Sequence, residues 1–307
     1  MTSTFWFFGV STGQSAMRRI YPLWMDELGV DSHLRGVDFP LDAPAADYRA
    51  AVAAVRADPS SAGGLITTHK LNVLAAAADL FDDLDESARL LHEVSCMAVR
   101  GDRLHGAALD DRTSRLALEA LVPSGHWAQG GELLLLGAGG ASIATMLGLH
   151  RAAREGHDVP GRIHVTARSP QRLDEMAALH RTIGFDIPVT SHVTTWAEEA
   201  DAVVSALPAH SVVVNATGMG KDRPGSPLTD AVEFPIGSIA WDMNYRGERP
   251  FLGQAQAQAE RRGLEIVDGW DYFVYSWTTV VAVVHELDIP PRGALFDRLS
   301  QLARSVA

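Results

Sequence analysis

The chain has 307 residues, 47% of them hydrophobic, which is enough to bury a large core and on length alone suggests two domains. It carries 26 Lys and Arg against 38 Asp and Glu, a formal net charge of −12, so we expect neither nucleic acid nor an anionic membrane as its partner. Cys96 is the only cysteine, which excludes an intramolecular disulfide and a cysteine-based metal cage and fits a reducing compartment. The start of the chain lacks a basic signal region, and no segment reaches the ~20 apolar residues of a membrane span. We therefore expect a cytoplasmic protein.

The first part of the chain alternates strand and helix from the outset. The strand at 94–99 leads to a turn at 101–102, and the segment 103–106 then returns, which predicts a hairpin. A helix over 113–121 ends at Pro123-Ser124-Gly125, so we place the first domain boundary just before it. The remaining predicted elements of this part are strands at 5–10, 34–39, 64–67 and 94–99 and helices at 17–28, 47–56 and 71–78.

Four consecutive leucines, Leu133 to Leu136, run into a glycine turn and leave it as a helix. Gly137 permits the tight turn, and Gly139 lets the backbone approach a pyrophosphate. The helix that starts near Gly140 would present unpaired N–H groups and its positive dipole end to the phosphates. Glycine turns also join strands to helices for purely structural reasons. The continuous apolar strand favours the nucleotide site, because such strands are typical of a parallel sheet covered on both faces.

After the glycine turn the pattern continues as strand, helix, strand. This order predicts the mononucleotide-binding half of a doubly wound α/β sheet. The predicted elements are strands at 162–167, 187–190, 211–216, 238–242 and 265–267, a helix after Pro170, an alanine-rich helix near 254–258, and two final helices at 270–287 and roughly 292–306.

Eight short segments then stand in a fixed order: T-T-H-K at 67–70, G-D-R-L-H-G at 101–106, Asp110, G-A-G-G-A at 137–141, A-R-S at 167–169, N-A-T-G-M-G at 215–220, D-M-N-Y at 242–245 and V-D-G at 267–269. They resemble the T-x-P-x-K turn, the G-x-L-x-G hairpin, the N-T-D aspartate, the glycine loop, N-R-T, N-A-T-P-x-G-M, D-x-x-Y and the last helix start of the shikimate/quinate dehydrogenase family. On these motifs the chain is identified as a member of that family.

The resemblance implies an α/β substrate-binding domain over residues 1–112, completed by 269–307. It also implies an NADP-binding Rossmann domain over 113–268 that faces the first domain across a cleft. The expected activity is the interconversion of a secondary alcohol and a ketone on a hydroxylated ring similar to shikimate or quinate. The expected partners are a small-molecule substrate and NADP, and the protein would be a monomer or a homodimer.

Oxidation of a secondary alcohol by a nicotinamide requires the hydroxyl to lose a proton as hydride leaves its carbon. The resemblance assigns that proton transfer to Lys70, with Asp110 orienting Lys70 and the substrate hydroxyl. Taken alone, such a lysine is commonly a solvated turn residue, and such an aspartate commonly caps a helix. His69 invites a metal or acid–base role, but the twelve histidines are scattered without metal-ligand spacing, so we expect no metal.

The choice of cofactor depends on the end of the second strand of the Rossmann domain. NAD sites place an acid there for the ribose hydroxyls, and here no acid occurs until Asp174. Arg168 would instead stack on adenine and hold a 2′-phosphate, with Ser169 and Arg172 as further donors. The predicted cofactor site consists of Gly137, Ala138, Gly139, Gly140, Ala141, Arg168, Ser169, Arg172, Asn215, Thr217 and Met219.

The substrate side departs from the family pattern. The family's H-S-x-S-P reads Q-S-A-M-R at 14–18, so only Ser15 survives, and the asparagine of V-N-T is replaced by Ser95. Ala108 and Leu109 replace the asparagine and threonine of N-T-D, and a glutamine of the last helix is replaced by Tyr275. The predicted substrate-binding residues are Ser15, Ser95, Tyr245 and Tyr275.

Two alternatives stay open beside the dehydrogenase with altered specificity. One is a non-catalytic nucleotide-binding regulator on the same scaffold, and the other is an authentic shikimate dehydrogenase with compensating contacts. The presence of both Lys70 and Asp110 favours an enzyme, because a sensor needs neither residue.

Overall fold

The structure is a computed structural model that describes residues 2–221 and 223–306. The chain divides into two units, one formed by Met1–Thr113 with Val274–Ala307 and the other by Ser114–Phe273. The assignment of one unit to the substrate and the other to NADP stays a prediction. The strands are β1 (Ser3–Gly9), β2 (Ser32–Asp38), β3 (Ser61–Ile66), β4 (Asp83–Leu84), β5 (Cys96–Arg100), β6 (Arg103–Ala107), β7 (Leu133–Leu136), β8 (Ile163–Ala167), β9 (Val189–Val193), β10 (Val212–Asn215), β11 (Ile239–Asp242) and β12 (Glu265–Val267).

The α-helices follow the predicted alternation, with short 3-10 turns between some of them. They are α1 (Met17–Leu28), α2 (Ala45–Ala57), α3 (Lys70–Ala77), α4 (Glu86–Leu91), α5 (Asp110–Leu121), α6 (Gly140–Arg154), α7 (Pro170–Ile183), α8 (Ala197–Ser205), α9 (Pro250–Gln256), α10 (Ala259–Arg262), α11 (Trp270–His285) and α12 (Ala294–Arg304). Within residues 2–221 and 223–306, no helix combines the length and the apolar character that a membrane crossing requires.

The first unit is built on a six-stranded sheet of order β2-β1-β3-β5-β6-β4. β1 runs parallel to β2 and β3, whereas β5 runs antiparallel to β3 and β6. The 103–106 hairpin predicted from the turn is therefore present. Because of these directions, the carboxyl ends of β3 and β6 and the amino end of β5 lie at one edge of the sheet.

Both faces of this sheet are covered, since four consecutive side chains of β1 are buried. On one face Trp6 and Phe8 pack with apolar side chains of α2 and α3. On the other face the ring of Phe7 lies 5.0 Å from that of Trp277 in α11, and Trp24 Nε1 donates a hydrogen bond to the Leu299 carbonyl in α12 at 2.8 Å. The C-terminal helices thus complete the core of the first unit.

The second unit contains a six-stranded, fully parallel sheet of order β12-β11-β10-β7-β8-β9. The four leucines of β7 are entirely buried at its centre, as a parallel strand covered on both faces requires. The chain proceeds outward from β7 in one direction through β8 and β9 and in the other through β10 to β12. The switch point between β7 and β10 is where such sheets bind ligands. The predicted α/β fold with a doubly wound sheet is confirmed.

Candidate active site

In the first unit the structure brings Lys70 and Asp110 together. Lys70 begins α3 just beyond the carboxyl end of β3, and Asp110 begins α5 just beyond the carboxyl end of β6. Lys70 Nζ donates directly to Asp110 Oδ2, and each side chain retains about a fifth of its surface exposed. The two residues that the resemblance selected, 40 positions apart in the chain, therefore form an ion pair that a small molecule can still reach.

The charge state of Lys70 is set by opposing effects. Burial disfavours the ammonium and acts to lower the pKa of Lys70, but the negative charges of Asp110 and Glu93 and the hydrogen bond to Asp110 outweigh it. The pKa of Lys70 is therefore raised above its usual value. A lysine in this state holds a proton at neutral pH and is ready to donate it.

Glu93 is a residue of this site that the sequence reasoning did not single out. It lies in the segment between α4 and β5 and is 7% exposed. The N–H of the next residue, Val94, donates to the Lys70 carbonyl at 3.3 Å, which places Glu93 beside α3. Burial raises the pKa of the Glu93 carboxyl and Lys70 lowers it, with the former effect prevailing. No sequence motif marks the position of Glu93 before β5, so its place beside Lys70 became apparent only from the fold.

His69 belongs to the core rather than to the chemistry. It is 2% exposed, its Nε2 donates to the Phe39 carbonyl at 3.1 Å, and its Nδ1 accepts from the Tyr48 hydroxyl at 2.9 Å. Both ring nitrogens are therefore engaged, and the ring anchors the turn that precedes Lys70. Among the described residues, no group of three or more His, Cys, Asp or Glu side chains is arranged to hold a metal ion.

In the second unit a cavity of about 830 Å³ opens at the carboxyl ends of β7, β8 and β10. Of the predicted cofactor residues, Gly137, Ala138, Gly139, Arg168, Ser169, Arg172, Thr217 and Met219 line it. Gly140 and Ala141 form the first turn of α6 and lie outside the lining. This is the position at which the glycine turn predicted a nucleotide.

The glycine turn has the conformation that its sequence requires. Gly137 has φ +101°, a value that favours glycine. The Gly137 N–H donates to the Thr166 carbonyl at 3.1 Å, and the Ser142 hydroxyl donates to the Gly137 carbonyl at 2.6 Å. A Cβ at Gly139 would meet no described protein atom within 4 Å. The two hydrogen bonds of Gly137 thus hold the turn in place, and the space next to Gly139 is open to a ligand.

The cavity is lined by three arginines, Arg168, Arg172 and Arg223, and by no acidic side chain of the described residues. Arg172 pairs with Glu175 at 2.8 Å. Neither Arg168 nor Arg223 forms an ion pair or a side-chain hydrogen bond with another residue in the part of the chain that the structure describes. Two uncommitted guanidinium groups and the missing acid suit a 2′-phosphate better than a bare ribose. Sequence reasoning missed Arg223 because it lies 55 residues beyond Arg168.

Asn215 is not among the residues that line the cavity, and its role in shaping the nicotinamide end of the cofactor site stays a prediction. It is fully buried, its amide NH₂ donates to the carbonyl of Met219 and to Asp242, and its Oδ1 accepts from the N–H and hydroxyl of Thr217. Asn244 donates a second hydrogen bond to the Met219 carbonyl at 3.0 Å. These bonds fix the 215–219 turn, which carries Thr217 and Met219 to the cavity wall.

Trp196 is another lining residue without a sequence signal. It precedes α8 and is 70% exposed. The Glu199 carboxylate accepts from the Trp196 N–H at 3.0 Å and holds the backbone there. A large exposed aromatic ring at the rim of this cavity is a platform on which a base can stack.

Comparison with known proteins decides the family. The shikimate dehydrogenase (NADP(+)) of Brucella abortus (strain S19) is 30% identical over 258 residues, which are 81% of this chain and 77% of that protein. The protein of the same name from Salinibacter ruber (strain DSM 13855 / M31) is 30% identical over 227 residues, 73% of each chain. The chain belongs to the shikimate dehydrogenase family. No family model matches it.

Solved structures of the shikimate dehydrogenase family share the fold over the whole chain. Shikimate 5-dehydrogenase from Thermus thermophilus in complex with NADP(H) and shikimate has a TM-score of 0.69 at 23% identity and covers 99% of this chain and 100% of its own. Quinate dehydrogenase from Corynebacterium glutamicum in complex with NAD has a TM-score of 0.72 at 19% identity, with 99% of each chain covered. The predictions of the family, the fold and the NADP-dependent dehydrogenase class are confirmed at the level of the family.

Within this family the predicted substrate residues occupy different surroundings. Ser15 is half-buried, and its hydroxyl accepts from the Met17 N–H at the start of α1, at 3.3 Å. Tyr275 is buried, with its ring stacked on that of Phe296 at 4.6 Å. Tyr245, in the second unit, stacks on Phe273 at 4.2 Å. Ser95 is buried with its hydroxyl bonded to the backbone. The side chain of Ser95 is thus engaged with the backbone, and that of Tyr275 is packed against another ring. The substrate contacts of all four residues stay predictions.

Proposed function

We propose that the protein is an NADP-dependent dehydrogenase that interconverts a secondary alcohol and a ketone on a hydroxylated ring similar to shikimate or quinate. The observation that carries this proposal is the direct Lys70–Asp110 ion pair at one edge of the first sheet. A nucleotide-binding regulator has no use for a partly exposed, proton-bearing lysine paired in this way, so the pair favours an enzyme.

Lys70 and Asp110 perform the proton transfer in this proposal. The raised pKa keeps the Lys70 ammonium charged, so its Nζ donates a proton to the substrate oxygen when a ketone is reduced. The neutral amine that this step leaves is the form that takes the proton of the hydroxyl when an alcohol is oxidised. Asp110 holds Nζ in position by accepting its hydrogen bond, and its negative charge stabilises the ammonium.

NADP, when bound, supplies the hydride donor or acceptor. The residues of the second unit fit this cofactor. The 137–139 turn and the first turn of α6 suit its pyrophosphate, and Arg168 and Arg223 suit its 2′-phosphate. A cytoplasmic location is part of the proposal and is supported by Cys96, which is free and buried. A monomer or a homodimer stays the expected assembly.

The test is to incubate the full chain with NADP and a panel of hydroxylated cyclohexene and cyclohexane carboxylic acids, and to follow the absorbance of NADPH. We expect reduction of NADP by at least one compound and its loss in Lys70→Met, which keeps the volume of the side chain. If NADP binds but none of the compounds reduces it, the enzyme proposal is contradicted and the regulator is favoured.

A further inference from the structure

The Glu93 carboxylate is buried beside the proton-transfer pair without a partner of its own. It is 7% exposed, yet it accepts no hydrogen bond and forms no ion pair with any residue in 2–221 or 223–306. Buried carboxylates are ordinarily hydrogen-bonded or paired, because an isolated charge away from water is costly. A buried carboxylate without a partner, next to the Lys70–Asp110 pair, is a candidate ligand site.

The charges that act on Glu93 come from Lys70, Asp110 and Asp111. Lys70 is the cation that acts on it, and the Lys70 ammonium is already bonded to Asp110. Asp110 and Asp111 add negative charge that acts on Glu93. Asp111 is 1% exposed and accepts from the Ser87 hydroxyl at 3.1 Å. Glu93 therefore shares the attraction of the Lys70 ammonium with Asp110.

The geometry of the sheet fixes Glu93 relative to Lys70. Glu93 lies in the loop, residues 92–95, that leads to the amino end of β5. That end of β5 is paired with the carboxyl end of β3, which Lys70 follows. The hydrogen bond from the Val94 N–H to the Lys70 carbonyl joins this loop to the start of α3. A group bound by Glu93 is therefore held close to the group that receives or donates the proton.

We propose that Glu93 binds an ammonium group of the substrate, so that the substrate is a hydroxylated ring that also carries an amino substituent near the reacting carbon. This inference rests on the proposed dehydrogenase function and specifies its substrate class. A ring hydroxyl would offer Glu93 one neutral donor. An ammonium offers three donors and the missing positive charge, and charge-assisted hydrogen bonds are roughly twice as strong as neutral ones.

The experiment uses cyclitol carboxylic acids in matched pairs, in which each ring hydroxyl in turn is replaced by an amino group. Binding to the full chain saturated with NADP is measured by calorimetry, and kcat/KM is measured with the same compounds. We expect one amine to bind about 10-fold or more tightly than its hydroxyl partner, the scale of one charge-assisted hydrogen bond. Glu93→Gln should abolish that preference and leave the affinity for NADPH unchanged, and the matched control Glu86→Gln, an exposed carboxylate on α4, should retain it.

A wild-type protein that binds every hydroxyl compound as well as its amine, or an amine preference that survives in Glu93→Gln, overturns the inference. If Glu93→Gln does not fold, as judged by thermal unfolding, the wild-type ratio of amine to hydroxyl affinity decides alone. Turnover separates the two proposals. If an amine binds through Glu93 but does not reduce NADP, the result supports the ammonium site and contradicts the dehydrogenase. If only hydroxyl compounds are turned over, the result supports the dehydrogenase and contradicts the ammonium site.

Discussion

The hydroxyl of Ser95 accepts a hydrogen bond from the backbone N–H of Leu109 at 2.8 Å. This bond ties the segment before β5 to the segment after β6 and uses the one polar side chain that replaces the family's asparagine. Ala108 and Leu109 are buried and apolar, where the family pattern has an asparagine and a threonine. Three positions of the predicted substrate site therefore offer fewer hydrogen-bonding groups to a ring hydroxyl than the family pattern does.

We accordingly expect shikimate to be a poor substrate. Each hydroxyl or carboxylate left without its hydrogen bond in a buried site costs about 1–3 kcal/mol, and several such bonds are missing together. The measurement compares kcat/KM for shikimate, quinate and amino- or deoxy-cyclitols with NADP. If shikimate turns over as fast as in an ordinary biosynthetic enzyme of the family, the ring is bound by residues other than those named here.

Removal of either member of the proton-transfer pair should slow turnover without affecting NADPH. Lys70→Met and Asp110→Asn should each lower kcat by roughly 10²-fold or more, the scale of lost acid–base catalysis. NADPH affinity, measured by calorimetry, should stay within about 2-fold. A Lys70→Met enzyme with near wild-type kcat would remove Lys70 from the mechanism.

The Lys70–Asp110 pair also determines in which direction the pH dependence of kcat should shift when Asp110 is replaced. Asp110 contributes to the raised pKa of Lys70, so Asp110→Asn lowers the pKa of Lys70 while its burial persists. Ketone reduction needs the protonated lysine, and kcat falls as pH rises through that pKa. The alkaline limb of the residual kcat in Asp110→Asn should therefore move to lower pH. A limb that stays in place would separate Asp110 from the charge state of Lys70.

The arginines of the nucleotide cavity should determine the preference for NADPH over NADH. Arg168→Ala and Arg223→Ala should each weaken NADPH binding by about 10- to 100-fold, the equivalent of about 1.5–3 kcal/mol for a charge-assisted contact. NADH binding should change little, since NADH lacks the 2′-phosphate. Arg181→Ala, on the exposed surface of α7, is the control. Equal affinities of the wild-type protein for the two cofactors would contradict the assignment.

The sequence predicted the features that rest on local patterns. The four leucines, the glycine turn and the strand–helix alternation follow from periodicity and glycine geometry, and α1 has the predicted bounds, Met17–Leu28. Lys70 and Asp110 required the family motif, because nothing local distinguishes them from a turn lysine and a helix cap. Asn215 was recognised as part of the motif, but its task of holding the 215–219 turn depends on Asp242 and Met219, which only the fold brings near.

Other residues of the candidate sites had no local signal in the sequence. Glu93, Arg223 and Trp196 gain their surroundings from strand order, since each reaches its site through a loop that follows or precedes a strand. The short α4 and α8 were also missed, because each is under ten residues long and too short for a clear apolar period. Tertiary packing and capping, such as Glu199 at the start of α8, stabilise helices of this length.

Trp196 provides a direct optical test of the cavity. If the exposed ring stacks on the adenine of NADPH, its fluorescence should be quenched on binding, and Trp196→Phe should lose that part of the signal while keeping affinity within about 3-fold. Trp196→Ala should weaken binding by about 10-fold, because base–aromatic stacking contributes ~1–3 kcal/mol. Unchanged quenching in Trp196→Phe would assign the signal to another tryptophan and the ring to a structural role.

A stack of three rings in the second unit should make stability depend on pH. Phe185 lies between His150 and His180, with centroid distances of 5.7 and 4.5 Å, and the buried Nε2 of His180 has no hydrogen-bond partner among the described residues. Burial, with a smaller effect from His150, lowers the pKa of His180 from 6.5 to about 4. The folded protein therefore keeps His180 neutral over a range of pH in which the unfolded chain protonates it.

The sign follows from linkage, because acid favours the state that binds more protons. Above the unfolded pKa both states are neutral and His180 contributes no pH dependence, whereas between about pH 6.5 and pH 4 stability falls as the pH is lowered. The loss between pH 7 and pH 5 is about 2 kcal/mol in the free energy of unfolding. His180→Phe keeps the stacked ring and removes the titration, so its urea unfolding should lose correspondingly less stability over this interval. His33→Phe, at an exposed histidine of the first unit, should follow the wild type, and an equal loss in His180→Phe and wild type would show that the buried ring does not remain neutral in the folded state.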